Sequence, residues 1–193
     1  MIRRIRIQRY KSFLDFSLEM KPLTVMFGPN ASGKSNFLDA LYLISRIVTQ
    51  KNLNEAFSDH RGLPLESFYY ADVGYDKLLE RKNIKLKFEV DIALSQNTIK
   101  SVETIVRAKR SGMDVNQPLK KVITEQYLKY EVEIEALTET GYLRVTDERL
   151  CAVKKTGEEK NGLRLLNGQV KKSTFVWKGN RIPHTLNKAL TTL

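Results

Sequence analysis

A single cysteine, Cys151, stands among 193 residues. One thiol excludes an internal disulfide and any zinc site made of cysteines alone, and it suits a reducing compartment. Proline is scarce, with five in the chain. No low-complexity stretch, internal repeat or obvious flexible linker divides the sequence. Nothing approaches the roughly 20 apolar residues of a membrane span. Residues 1–11 are basic, but no apolar segment follows them, so they do not read as a signal peptide. These absences predict a cytoplasmic chain with no membrane partner. Acidic residues are also short: 22 Asp and Glu face 33 Lys and Arg, for a formal charge of +11. Such an excess hints at a polyanionic partner, DNA or RNA. Its clusters are small: Arg107-Lys109-Arg110, Lys120-Lys121, Lys154-Lys155 and Lys171-Lys172. For each cluster alone, solvated strand ends and turns are the favoured reading. Core material is plentiful, at 41% hydrophobic residues, enough for one sizeable domain.

The densest chemical signal is at residues 28–35, GPNASGKS, which fits G-x-x-x-x-G-K-[ST], the phosphate-binding loop. Gly28 and Gly33 allow the tight path that turns backbone N–H groups inward, across Pro29, Asn30, Ala31 and Ser32. Lys34 brings a point charge for the β- and γ-phosphates, and the Ser35 hydroxyl suits Mg²⁺, which keeps most of its waters. Asn36 closes the segment. The motif needs a strand before it and a helix after it. Leu23-Thr24-Val25-Met26-Phe27 is short, apolar and partly β-branched, so a buried strand is expected there. Phe37, Leu38, Leu41, Ile44 and Val48 recur at helical spacing without Gly or Pro from Ser35 to Gln50. That helix would aim its N-terminus at the phosphates.

Around the loop the pattern is mostly β. Residues 4–8 alternate, and Phe16, Leu18 and Met20 alternate again, so the loop strand is expected third. Residues 59–64 read as a loop. Ile84, Leu86, Phe88, Val90, Ile92 and Leu94 alternate without a miss, with a less regular strand expected near Ile99, Val102 and Ile105. Leu128 to Ala136 alternates strictly. Tyr142 to Val145 and Leu150 to Val153 read as two further strands, residues 157–162 and 167–168 as hairpin turns, and Ser173 to Lys178 as the last strand. A helix is expected to begin at Leu186. Residues 84–178 thus predict an antiparallel meander rather than βαβ units. The expected fold is α+β with α/β character: a P-loop core over residues 1–60 beside a large antiparallel sheet.

Residues 5–16, IRIQRYKSFLDF, and 23–41, LTVMFGPNASGKSNFLDAL, resemble the N-terminus of the SMC/RecF/OLD-like ABC ATPases, whose bacterial members are often labelled AAA-family ATPases of the AAA_15/AAA_21 type. The resemblance is specific over residues 1–48 and looser to about 180. It implies ATP and Mg²⁺ as ligands and ATP-driven head-to-head pairing of two subunits. The setting it implies is DNA repair, chromosome organisation or phage defence. Lys11, Ser12 and Phe13 match the short segment near the nucleotide base and sugar; a sheet corner with Phe13 in the core is the competing reading. The resemblance also implies a signature motif, a Walker B run ending in Asp-Glu, and a late switch histidine, and none is evident. Asp147-Glu148 follows Arg144 and Thr146 and reads as a surface-facing strand. His60 reads as a surface residue, although it could lie near a γ-phosphate-sensing loop, and His184 reads as a loop residue.

The expectation is therefore a single N-terminal ATPase lobe over residues 1–193, with the half carrying the signature and Walker B motifs cut off or encoded elsewhere. It would act as a homodimer or with a chain supplying those motifs. The leading function is the ATP-binding half of an ATPase, with Lys34 and Ser35 as its catalytic pair. An alternative is a nucleotide-dependent nucleic-acid or protein binding module without turnover of its own. A P-loop kinase fits less well, because the long meander leaves little room for acceptor-site and lid helices.

Overall fold

Alternating apolar residues produce the largest element of the structure, a six-stranded sheet. The computed structural model describes residues 1–109, 125–159 and 176–178. In chain order the elements are β1 (Ile2–Tyr10), β2 (Phe13–Glu19), α1 (Lys34–Thr49), α2 (Leu53–Ser58), a 3-10 turn (Pro64–Ser67), α3 (Tyr75–Leu79), β3 (Asn83–Ala93), α4 (Gln96–Lys109), β4 (Tyr127–Leu137), β5 (Tyr142–Ala152) and β6 (Val176–Lys178). The sheet order is β2-β1-β3-β4-β5-β6, and every pairing is antiparallel.

Period-two patterning gives the sheet two unlike faces. Ile5 and Ile7 of β1, Leu86 and Phe88 of β3, and Val132 and Ile134 of β4 are all fully buried. Register lines them up, with Ile7 opposite Phe88 and Phe88 opposite Val132. Phe37, Ala40, Leu43 and Ile44 of α1 join the same core cluster. The other face is a lattice of opposite charges. Arg4 pairs with Asp91 at 2.9 Å, Arg6 with Asp15 at 2.6 Å, Lys85 with Glu133 at 2.7 Å and Lys87 with Glu89 at 2.8 Å. Arg144 closes on Glu135, and Arg149 on Glu159. Cross-strand pairs of this kind support the register, because a one-residue slip would carry these charges onto the apolar face.

Three sequence expectations are corrected. Residues 23–27 form no strand: Leu23, Val25 and Phe27 are 82%, 73% and 92% exposed. An extended apolar run becomes a strand only where a neighbour takes its N–H and C=O groups, and among the described residues none does. Residues 99–105 lie in α4, not a strand. Ser95 caps that helix, its Oγ accepting from the Thr98 N–H at 3.0 Å, and Ile99, Val102 and Ile105 are spaced for one helical face. Finally, β5 is one strand with an irregularity where the sequence suggested two. Asp147 faces Glu133 and Val145 faces Ile134, so Thr146 is an extra residue, a β-bulge. The bulge changes which parity points inward, from Leu143 and Val145 to Glu148, Leu150 and Ala152, and this broke the alternation in the sequence. The turn expected at residues 167–168, the end of the one expected at 157–162, the beginning of the last strand at 173–175, His184 and the helix from Leu186 lie outside the described residues.

Candidate functional site

Gly33 turns the chain into α1. It sits at φ 91, in the left-handed region where a side chain is strained, and an added Cβ would lie 3.2 Å from the Phe13 ring. Ala31 also has positive φ, at 64°. Successive left- and right-handed residues curl the peptide N–H groups toward one side, the geometry of an anion nest. The first α-helical bond runs from the Phe37 N–H to the Gly33 carbonyl at 2.9 Å. The N–H groups of Lys34, Ser35 and Asn36 therefore have no acceptor inside the helix.

These groups open on a cavity of about 640 Å³. Residues 30–36 line it together with Lys11 and Ser12, and the remaining lining comes from Arg61, Gly62, Glu66, Tyr70 and Ala71. The exposed Lys34 ammonium donates to the carbonyls of Gly28 at 2.8 Å and Pro29 at 2.6 Å, and to Ser32 Oγ at 3.3 Å. Asn36 Nδ2 donates to Ser12 Oγ at 2.8 Å, tying the β1–β2 corner to the start of α1. Lys11 is held at the cavity's edge by Asp39 at 2.7 Å and by the Arg61 carbonyl at 3.2 Å. Phe13 does not line the cavity. Its ring stacks on Phe16 with centroids 4.8 Å apart and packs beneath Gly33.

Two residues lie where sequence reasoning did not put them. His60, expected at the surface, is buried. Its Nδ1 lies 3.0 Å from the Arg61 carbonyl, so Nδ1–H donates there and Nε2 accepts from the Tyr10 hydroxyl at 2.6 Å. Burial lowers its pKa below the ordinary histidine value and keeps the ring neutral. Glu148, expected on a surface strand, points to the core face, where it accepts from the Tyr130 hydroxyl at 2.8 Å. Burial raises its pKa. Cys151 is buried as well and its thiol is pushed up to about 11, so it is protonated and unreactive at neutral pH. Among the described residues no group of His, Cys, Asp and Glu could hold a metal ion by itself, and no helix is long and apolar enough to cross a membrane.

The arrangement is chemically specific. Orphan N–H groups at a helix N-terminus and a lysine ammonium beside them fit a phosphate chain. One serine hydroxyl, Ser35, is the kind of single protein ligand that phosphate-bound Mg²⁺ takes. The segment from Arg61 to Ala71 was not anticipated as part of the site. Its only sequence signal was the loop at residues 59–64.

Comparison with known proteins agrees with this reading of the class. Residues 1–178 match the AAA ATPase domain family, AAA_15, and the chain belongs to that family. Among individual proteins, it is similar to the DNA replication and repair protein RecF of Streptococcus equi subsp. zooepidemicus, at 29% identity over 111 residues, 57% of this chain and 28% of that one. It is also similar to the chromosome partition protein Smc of Mesomycoplasma hyorhinis, at 30% identity over 122 residues, 59% of this chain and 11% of that one. The resemblance to SMC/RecF-like ATPases is thus upheld as distant homology. The match spans well under a third of the length of either relative.

Proposed function

We propose that this chain is the ATP–Mg²⁺-binding part of an ATPase that works on DNA, with a P-loop formed by residues 28–36. The observation that carries this is the left-handed turn at Gly33, which delivers the free N–H groups of α1 and the Lys34 ammonium into one cavity. Lys34 spends its charge on backbone carbonyls, so a side-chain rotation suffices to turn it to phosphate oxygens. ATP–Mg²⁺ would supply the phosphoanhydride and a divalent charge. The protein's part is to neutralise and orient the phosphates through Lys34, Ser35 and the nest of N–H groups. Names of the relatives, a replication and repair protein and a chromosome partition protein, support a DNA-related role.

Turnover needs a carboxylate to align water. Among the described residues Glu66 is the one carboxylate lining the cavity, and its Oε2 accepts from the Leu63 N–H at 2.9 Å. Glu148 is occupied with Tyr130 in the core. This favours a second component, from the same or another chain, that completes the site when two heads pair around ATP. The apolar residues at 23, 25 and 27 are a surface suited to such a partner. The same observation keeps the second reading open, a nucleotide-dependent binding module without turnover.

Calorimetry with ATP and Mg²⁺ tests the site. The expected result is saturable binding to the wild type and a loss of at least about tenfold in Lys34→Ala, since a cation facing a polyanion is removed. Phosphate release by this chain alone should stay at background. Unchanged affinity in a folded Lys34→Ala variant would remove Lys34 from the site. Robust turnover abolished by that variant would show that the chain holds its own carboxylate.

A further inference from the structure

A phosphate-binding loop accounts for one end of a nucleotide and leaves the other end unassigned. In this cavity the backbone donors for phosphate are concentrated at residues 30–36, while the rest of the lining is Lys11, Ser12 and the segment from Arg61 to Ala71. The resemblance had placed Phe13 near the base. That ring is committed elsewhere, stacked on Phe16 and covering Gly33. Among the described residues Tyr70 is the one aromatic side chain lining the cavity.

We propose that Tyr70 is the platform on which the base of the bound nucleoside triphosphate stacks, with the segment from Arg61 to Ala71 forming the nucleoside wall of the site. This rests on the nucleotide reading above. A base offers a π-face of about the area of a tyrosine ring, and such a contact contributes about 1–3 kcal/mol, or very roughly 5- to 150-fold in affinity.

The wall is built in advance. Phe68, two residues before Tyr70, is buried in the core and bridges to Tyr10 of β1. The Tyr69 N–H donates to the Arg9 carbonyl and the Lys11 N–H to the Ser67 carbonyl, both at 2.9 Å. His60 holds the Arg61 carbonyl from beneath. After Tyr70 the chain turns back, its carbonyl accepting from Gly74 at 2.8 Å. The Tyr70 ring meets Tyr75 edge to face, with centroids 5.4 Å apart. A ring fixed by its neighbours loses little freedom when a base stacks on it. The same wall carries Glu66, a carboxylate that repels phosphate but accepts hydrogen bonds from a ribose hydroxyl or a base amine. The cations lining the cavity, Lys34, Lys11 and Arg61, attract the phosphates, and beside Glu66 and Tyr70 the nucleoside is favoured.

Calorimetry on the full chain separates the two ends of the site, using ATP and inorganic tripolyphosphate as probes, each with Mg²⁺. Tripolyphosphate requires only the loop, whereas ATP requires the loop and the wall. In Tyr70→Ala, ATP affinity should fall about tenfold and tripolyphosphate affinity should stay within about twofold, with Tyr70→Phe restoring ATP binding. Tyr70→Leu, which keeps apolar bulk against Tyr75, serves if the alanine variant fails to fold, and the same split is expected. Wild-type ATP affinity in a folded Tyr70→Ala or Tyr70→Leu variant overturns the platform and leaves the P-loop reading intact. Equal loss of both probes also overturns it, marking Tyr70 as a support of the loop. Failure of the wild type to bind either probe overturns the nucleotide reading and this inference with it.

Discussion

Residues show most clearly what a motif can and cannot reveal. The place of Lys34 and Ser35 at the cavity was legible because it is local: the loop, its glycines and the following helix are contiguous in sequence. His60 and Glu148 were misplaced because burial is decided by what packs over a side chain. Tyr10 stands 50 residues from His60, and Tyr130 stands 18 from Glu148. Glu148 makes a sharp test. Burial raises its pKa in the folded state, so between its unfolded and folded values the native state binds more protons than the unfolded one. Stability from this group is therefore greatest at acid pH and falls as pH rises through that window. Glu148→Gln keeps an acceptor for Tyr130 and removes the charge. It should raise the denaturation midpoint at pH 7–8 and change it little near pH 4, as read by chemical denaturation at both pH values. A variant less stable at neutral pH would show that the ionised carboxylate is favourable where it stands. His60 has the opposite sign: its lowered pKa favours the native state at higher pH, and that contribution is lost as pH falls below the ordinary histidine range.

Elements were read correctly where one period ran uninterrupted. The expected alternation at Ile84 to Leu94 is β3, running Asn83–Ala93, and that at Leu128 to Ala136 is β4. Reading failed at changes of period. Ile99, Val102 and Ile105 follow closely on β3 and their apolar pattern alone extends the strand region, although Ser95 caps a helix there. In β5 the bulge at Thr146 broke the alternation in two. Its physical consequence can be measured. Deleting Thr146 leaves Leu143, Val145, Glu148 and Leu150 on one face and makes the strand regular, losing the Thr146 hydroxyl bond to Glu133 at 2.8 Å. Deleting Arg149 instead drives Leu150 out of the core and breaks its ion pairs. The Thr146 deletion should fold with a stability loss of about 1–2 kcal/mol at most. The Arg149 deletion should lose several times that, at about 2–5 kcal/mol for a buried leucine removed from the core. Urea titrations of both variants decide, and equal losses would place the extra residue elsewhere in the strand.

At the scale of the molecule, charge and apolar surface raise separate questions. The described sheet face is nearly neutral, because its Lys and Arg residues are met by Asp and Glu across the strands. Lys and Arg only slightly outnumber Asp and Glu in the described residues, so most of the basic excess falls in sequence outside them. A DNA contact on this lobe must therefore involve residues off that lattice, and the exposed pair Lys154 and Lys155 is one place to look. On the proposed DNA-related role, binding of DNA by the whole protein should weaken with salt by roughly 0.9 log units per log unit of salt for each phosphate neutralised. Reversing Lys154 and Lys155 to Glu should make that slope shallower if the pair touches phosphates. A duplex DNA titration at two salt concentrations reads it out, and an unchanged slope would clear the pair of any phosphate contact.

The amino-acid sequence alone determined the glycine-rich loop at residues 28–35, the helix behind it, the two-faced strands and the family resemblance. Each depends on residues close together in the chain or on a period repeated within one element. Tertiary structure decided that residues 23–27 stay exposed, because a strand exists only beside another strand. It decided that His60 and Glu148 are buried, and that Phe13 is committed to the core while Tyr70 faces the cavity. Which ring reaches a cavity depends on how a distant loop is pinned, here by Phe68 and Tyr69 against β1, and no local pattern in the chain encodes that contact.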